Sequence, residues 1–399
     1  MIPVQRPYIG NQELTAIERV FESRWLGMGA VTKEFENALK EFLGVKYVAA
    51  VNSGTSALHI ALEALSLQKD DEIIVPSLTF VASVQAILAA GAKPIFCDVR
   101  QDTMNMDVED VRQRVTSRTK AVMPVHYGGT ACQMDELACL AEEKNIRIVE
   151  DAAHAFGSEF NGKKLGSFGD ITCFSFDPIK NITCGEGGAV VTQDKELMER
   201  VITKRNLGIS RDTWSRLDGK HSWFYNVLIP GHRYQMSNIN AAIGLEQLKR
   251  FDLFKKRKQF IVKRYDKAFS KVHGLKLRRH DLNSTFPFFY VVRVLNDRRN
   301  DMIEYLKSKN IITGLHYIPN HLHQLFADPE VSLPVSECLY KEIMTLPLYY
   351  EMTDDDITEV ITAVTSFFKK GSGKIRALDF TRSKKRNVIS GSLTETPKN

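Results

Sequence analysis

The chain has 399 residues, 43% of them hydrophobic and 26% charged, with a formal net charge of +6. That length suggests two or three domains with a sizeable core, and no apolar run reaches the roughly eighteen residues that a membrane-spanning helix needs. The stretch after Lys370 alone carries +5 of the charge, so the rest of the chain is close to neutral and gives no ground for a nucleic-acid partner.

The opening residues, MIPVQRPYIGNQEL, lack a basic segment followed by an apolar one, so no signal peptide is expected. Six scattered cysteines, with no C-x-x-C pair, suit a reduced cytoplasmic chain without a structural metal. The first chemical motif is VNSGTSALHIALEAL (51–65). Ala57, Leu58, Ala61, Leu62 and Leu65 predict a helix with one apolar stripe, preceded by Ser53-Gly54-Thr55-Ser56. A helix start offers unpaired N–H groups to a phosphate, and a glycine there lets it approach closely. A plain helix cap is the other reading.

From Asp71 to about Thr192, short apolar runs alternate with helical patterns. DEIIVP, KPIFCDV, KAVMPVH, IRIVED, ITCFSF and GGAVVT read as strands, and VASVQAILAAGA, VEDVRQRV and MDELACLAEEKN as helices. Such alternation predicts an α/β fold with a mainly parallel sheet covered on both faces, where ligands gather at the carboxyl ends of strands. Phe80 follows DEIIVP and could stack on a planar ligand or simply pack in the core. Glu150 and Asp151 end IRIVED, an expensive place for a carboxylate without a cation. A pyridinium, a metal ion or a helix cap would each satisfy one of them. In FSFDPIKNITCGEGG (174–188), alternation sends Phe174 and Phe176 to one face and Ser175 to the other. Lys180 follows, and Gly185, Gly187 and Gly188 let the chain fold back. A partly desolvated lysine there suits Schiff-base chemistry; an exposed loop lysine is the alternative. Taken together, a phosphate seat, a pyridinium partner, a stacking ring and an imine-forming lysine are what pyridoxal phosphate requires.

Beyond Ser237 the pattern changes to long helices, with Ser237 or Asn238 as cap. FPFFYVVRVL and NIITGLHY then read as strands, and EMTDDDITEVITAVTSFFKK as an amphipathic helix. The expected division is a large α/β domain over 1–250, a small α+β domain over 251–370, and a mobile basic tail over 371–399. GSEFNGKK (157–164) nearly spells a Walker A loop, but Lys164 stands where Ser or Thr must hold magnesium, so a turn between short strands is expected. No G-x-G-x-x-G follows a strand. His321 and His323 have a poor chelating spacing and read as surface or substrate histidines.

Read together, IPVQRPYIG, WLGMG, NSGTSALHIAL, DEIIVPSLTFVAS, GAKPIFCDV, PVHYGG, VEDAAHAFGS, FSFDPIKNITCGEGG, LHYIPNH and TLPLYYEMTDDDI resemble the DegT/StrS-type sugar-nucleotide aminotransferases over residues 2 to 369. The resemblance implies the aspartate aminotransferase (type I) fold, with a seven-stranded type of sheet. It also implies pyridoxal 5'-phosphate, present as pyridoxamine 5'-phosphate during turnover. Lys180 would carry the cofactor and move the proton. Asp151 would hold the pyridinium, His154 would lie beside the ring, and Phe80 would stack on it. Gly54, Thr55 and Ser175 would bind the phosphate. A homodimer with shared active sites is implied, in which a G-Y-N-Y-R segment usually reaches the neighbour's phosphate. Here it reads GHRYQ, with Arg233 where Asn is usual and Gln235 where Arg is usual, and Arg233 would supply a charge-assisted contact. His316 and Tyr317 match a segment that contacts the nucleotide diphosphate, and Trp25 would line the sugar site. EDAAHA with GEGG resembles members that aminate C4 of a 4-keto-6-deoxyhexose, whereas those acting at C3 more often carry EDAAQA with GDGG. The implied substrates are L-glutamate and a nucleotide-linked keto sugar, with no nucleic-acid or membrane partner. A sugar dehydratase would carry histidine at position 180, and a regulatory protein that binds the cofactor without turnover is the reading from another class.

Overall fold

The computed structural model describes residues 1–209 and 225–370; the predicted tail lies outside them. Seven strands form the main sheet: β1 (Tyr47–Val51), β2 (Glu72–Pro76), β3 (Lys93–Cys97), β4 (Thr119–Val122), β5 (Arg147–Asp151), β8 (Ile171–Ser175) and β9 (Gly188–Thr192). A small hairpin, β6 (Glu159–Phe160) and β7 (Lys163–Lys164), lies between β5 and β8 in the chain. The sheet order is β1-β9-β8-β5-β4-β2-β3. Neighbours from β8 to β3 are all parallel, while β9 runs antiparallel to both β1 and β8. The six predicted runs are therefore strands, and YVAAV at β1 completes the seven.

Alternation along the strands feeds separate layers. Ala49, Val51, Ile73 and Val75 pack beneath α3 (Gly54–Ala64), α4 (Val81–Ala89) and α7 (Lys195–Arg205). On the opposite face Val48, Ala50, Phe174 and Phe176 meet Phe35 and Leu39 of α2 (Ala30–Leu43). Further along that face Ile74 and Val122 meet α5 (Val108–Arg114) and α6 (Met134–Lys144). Helix α3 departs from the single-stripe expectation, because every residue from Ser56 to Leu62 is buried. It lies between the sheet and its neighbours α4 and α7, which cover its middle turns on all sides.

The second layered unit is a three-stranded antiparallel sheet, β10 (Leu275–Leu277), β11 (Tyr290–Val294) and β12 (Ile343–Leu346). Its core uses Ile261, Val262, Tyr265 and Phe269 of α9 (Phe251–Phe269), Met302 and Leu306 of α10 (Arg299–Ser308), and Ile357, Val360 and Val364 of α12 (Asp354–Lys370). Helix α8 (Asn238–Lys249) starts at the predicted cap, Ser237, whose Oγ accepts from Asn240 N at 3.1 Å. Helix α11 (Pro334–Glu342) precedes β12, and α1 (Asn11–Glu22) opens the helical part of the chain. The first turns of α9 belong to the main core through Phe251 and Phe254, while its later turns belong to the second.

Two local readings met different outcomes. GSEFNGKK is a hairpin turn, with Asn161 and Gly162 at φ 48° and 74° between β6 and β7, so no phosphate loop exists there. NIITGLHY, in contrast, forms no strand. Ile311 and Gly314 make single bridges only, to Ile2 and Thr345. Ile2 arrives from the other end of the sequence, and no local pattern could announce that partner.

Candidate active site

The carboxyl ends of β1, β2, β5 and β8 lie on one side of the sheet, and the loops that leave them carry the predicted residues. Ser53 caps α3, its Oγ accepting from Ser56 N at 3.0 Å. That leaves Gly54 N and Thr55 N without an acceptor among the described residues, as expected for a first helical turn. Gly54 lies so close to Ser175, the last residue of β8, that a Cβ would fall 2.7 Å from Ser175 Cβ. Thr55 is exposed. Two N–H groups, two hydroxyls and a helix N-terminus thus surround one small space, a seat for a dianionic phosphate.

Glu150 and Asp151, adjacent on β5, point to opposite sides. Glu150 is fully buried; Oε2 lies 2.9 Å from His126 Nε2, and Oε1 accepts from Thr172 Oγ1 and Gly169 N, both at 2.7 Å. Asp151 is 5% exposed, accepting from Ser83 Oγ at 2.7 Å and Ala153 N at 3.1 Å. Ser83 on α4 is in turn 3.0 Å from Thr79 Oγ1. Among the described residues no Lys, Arg or His forms an ion pair with Asp151. A buried carboxylate without a counter-cation is costly, and a cationic ligand relieves that cost.

Lys180 sits in the loop between β8 and β9, closed at its base by Cys184 N to Phe176 O and Phe176 N to Gly187 O. Its Nζ lies 4.4 Å from the centroid of Phe288. Desolvation lowers its pKa to about 8, against the opposing pull of Asp177 and Asp151. The electrostatic interaction ties Lys180 and Asp151 to one well. Beyond Phe288 lies a second buried ammonium, Lys258 of α9. Its Nζ donates to Asn181 Oδ1 at 3.0 Å and to Phe288 O at 3.4 Å, and burial followed by repulsion from Lys180 lowers its pKa to about 7.

The well is walled by rings. His154 stacks on Phe288 with centroids 4.5 Å apart and 13° between planes, and its Nε2 meets Tyr317 Oη at 3.0 Å. Burial, then repulsion by Lys180, His316 and Arg278, holds His154 neutral with its pKa well below the usual range. Its Nδ1 is buried without a partner. His316 stacks on Phe289 at 4.7 Å, bonds Thr345 Oγ1 at 2.7 Å, and has its pKa lowered to about 4 by burial and then Lys180. Phe80, at the start of α4, is 52% exposed with its ring 5.7 Å from that of Tyr317.

These contacts tie Asp151, His154, Lys180, Phe80, His316 and Tyr317 to one well, while Gly54, Thr55 and Ser175 lie together at the ends of β1 and β8 on the same side of the sheet. Trp25 and Arg233 do not join it within the chain. Trp25 donates from Nε1 to Met28 O and packs on Gly29, its carbonyl accepting from Asn238 Nδ2. Arg233 is exposed, while Gln235 is engaged with Asn206 Oδ1 at 2.6 Å. His321 is not on the surface: it is buried between Ser77 Oγ at 2.7 Å and Glu337 Oε1 at 3.3 Å, fastening the 320–322 turn to β2. Sequence reading missed Ser83, Phe288, Phe289 and Lys258. Lys258 had a signal, because positions 251, 254, 258, 261, 262, 265 and 269 form the buried stripe of α9. A cavity of about 550 Å³ bounded by Arg100, Asp102, Lys276 and Arg293 shares no residue with this well.

The donors fit pyridoxal phosphate: a phosphate seat, an unpaired buried carboxylate for the ring nitrogen, an open histidine nitrogen at the ring's flank and an amine of depressed pKa.

The chain is similar to known proteins over nearly its whole length. The model of the DegT/DnrJ/EryC1/StrS aminotransferase family matches residues 7–365. Spore coat polysaccharide biosynthesis protein SpsC of Bacillus subtilis is 38% identical over 378 residues, covering 92% of this chain and 97% of its own. The aminotransferase TlmJ from Streptoalloteichus hindustanus superposes with a TM-score of 0.88 at 35% identity, over 94% of this chain and all of TlmJ. Spr1654 from Streptococcus pneumoniae, described as a sugar aminotransferase, superposes in its PMP form with a TM-score of 0.88 at 29% identity, over 93% of this chain and all of its own; it is also known in a PLP form.

Proposed function

The chain belongs to the DegT/DnrJ/EryC1/StrS aminotransferase family, and from that premise we infer that it is a pyridoxal phosphate-dependent enzyme. In this reading it moves an amino group from L-glutamate to a nucleotide-linked keto-deoxy sugar, at C4 of a 4-keto-6-deoxyhexose. The observation that carries the chemistry is the placing of Lys180, of depressed pKa, in one well with Asp151, a buried carboxylate that makes no direct ion pair among the described residues. The C4 assignment rests on EDAAHA and GEGG alone. Gly54, Thr55 and Ser175 would hold the phosphate, and Asp151 the protonated ring nitrogen. When bound, the cofactor supplies an electron-withdrawing ring that makes the amino donor's α-hydrogen acidic.

Lys180 Nζ would hold the cofactor and, as a free amine, would take and return the amino donor's proton. With a pKa of about 8 it is partly unprotonated near neutrality. His154, kept neutral, sets the ring's flank without adding a positive charge. Phe288 and Tyr317 keep water from the well. His316, Tyr317 and Trp25 are assigned to the sugar nucleotide, and the product would be an amino-deoxy sugar nucleotide for a surface glycan such as O-antigen. The division into 1–250 and 251–370, a cytoplasmic location and a homodimer belong to the same proposal. Leu14, Phe21 and Leu26 leave apolar side chains exposed around α1, and the exposed Arg233 would serve a neighbouring subunit's phosphate. Among the described residues, no helix is long and apolar enough to cross a membrane.

Incubation with glutamate and UDP-, dTDP- and GDP-linked 3-keto and 4-keto sugars, read by mass spectrometry, tests the proposal. A gain of amine on 4-keto sugars is expected; amination of 3-keto sugars only would move the assignment to C3. Lys180→Ala should lower turnover at least about a thousandfold and abolish the near-visible absorbance of the loaded protein. Normal turnover in that variant would refute the role of Lys180.

A further inference from the structure

We propose that His59, Glu63 and His232 form a binding site for a divalent transition-metal ion of the zinc type. His59 and Glu63 lie one turn apart on α3, and so share a face. His232 and Tyr234 alternate on a segment held by the bridges Asn206–Arg233 and Val51–Gln235, which presents both rings to α3 while Arg233 is exposed.

Glu63 Oε2 lies 2.9 Å from His232 Nε2, and Glu63 Oε1 lies 3.8 Å from His59 Nε2. One candidate ligand atom from each residue falls within 4.8 Å of the other two. Zinc–nitrogen and zinc–oxygen bonds of about 2.0–2.2 Å set tetrahedral neighbours about 3.3–3.6 Å apart, so small side-chain adjustments suffice. Two further observations point to a ligand. His59 is 8% exposed, and its Nε2 is buried 3.8 Å from Glu63 Oε1 with no hydrogen-bond partner among the described residues. Its other nitrogen, Nδ1, is held 3.0 Å from Tyr234 Oη, the outer-shell contact that orients a ligating imidazole. Three protein ligands leave a fourth position for water. Among the described residues the opposing group is Lys204, whose Nζ lies 3.4 Å from Glu63 Oε2 and competes with a cation for that oxygen. A metal here would fasten the segment carrying Arg233 to the helix whose first turn forms the phosphate seat. The inference does not depend on the substrate proposed above.

The test uses the full chain, stripped with a chelator and titrated with ZnCl₂ by calorimetry, with metal content measured after dialysis. One equivalent per chain is expected. His59→Ala and His232→Ala should weaken binding at least about a hundredfold, and Tyr234→Phe about tenfold. Lys204→Met should tighten it, because it removes the competing ammonium. Circular dichroism checks each fold, and the Tyr234 and Lys204 variants keep the test decisive if a ligand variant unfolds. The proposal is overturned if the wild type retains no zinc. It also fails if the double histidine variant retains as much, as the exposed Cys139 and Cys338 could cause, or if Lys204→Met leaves the affinity unchanged or weaker.

Discussion

Two carboxylates one residue apart on β5 show how differently the molecule treats its buried charges. Glu150 meets His126, Thr172 and the Gly169 amide, so the protein itself occupies both its oxygens. Asp151 receives only Ser83 and the Ala153 amide, while the loop lysine of lowered pKa shares its well. Both lie at the costly end of a buried strand. One is a structural joint between β4, β5 and β8, and the other is the acid to which the proposed function gives a cationic ligand. Each oxygen of both acids accepts a hydrogen bond, so what separates the pair is the cation: His126 is in direct contact with Glu150, while Asp151 makes no direct ion pair among the described residues.

Replacing each acid in turn should separate the two roles. Asp151→Ala is expected to lower turnover about a hundredfold or more and to weaken pyridoxal phosphate binding. Folding stability should fall less than for Glu150→Ala, because two donors rather than three lose their acceptor and no direct ion pair is broken. Glu150→Ala should cost about 3–5 kcal/mol in urea unfolding, since it strands several buried donors, while the folded fraction still binds the cofactor. If both variants lose stability equally and keep activity, the contrast is void. Gly54→Ala sharpens the comparison from the phosphate end. The added methyl would displace Ser175, and cofactor affinity measured by fluorescence titration should fall about tenfold, with a stability loss of about 1–3 kcal/mol.

The buried ammonium groups predict a pH signature. In the folded apo-protein Lys258 and Lys180 have pKa values lowered to about 7 and 8 from the lysine value of 10.5. Between those values and 10.5 the unfolded chain binds more protons than the folded one, so stability rises with pH. The cost of desolvating each charge is fully present below its folded pKa. Each group should contribute about 1.4 kcal/mol per pH unit across its window. Urea midpoints at pH 6.5, 7.5 and 8.5 should climb, and Lys258→Met should flatten the climb from pH 7 upward; an unchanged slope would contradict the shift. The smallest effect is expected for Ser83→Ala, which removes one hydrogen bond to Asp151. About 1 kcal/mol, or a fivefold rise in the dissociation constant for pyridoxal phosphate, should result.

Much of this was legible in the residues. The apolar runs from Asp71 to Thr192 specified buried strands, since few other arrangements satisfy alternating four- to six-residue apolar segments and amphipathic helices. The positions of Ser53-Gly54, Asp151 and Lys180 at strand ends followed from the same pattern, and the Ser237 cap from its side chain. Apart from the family resemblance, which named Asp151, the residues left open which of Glu150 and Asp151 faces the well. Strand alternation says that they face apart, but only the sheet order, which places β4 and β8 on either side of β5, decides which face is filled. Lys258 in KKRKQF and Phe288 in FPFFY belong to elements far from Lys180 in sequence, and α9 and β11 bring them together. Local chemistry sets which residues can act, because caps, turns and periodicity are short-range. The well itself exists only because distant segments pack so closely that each ring and charge there answers to the rest.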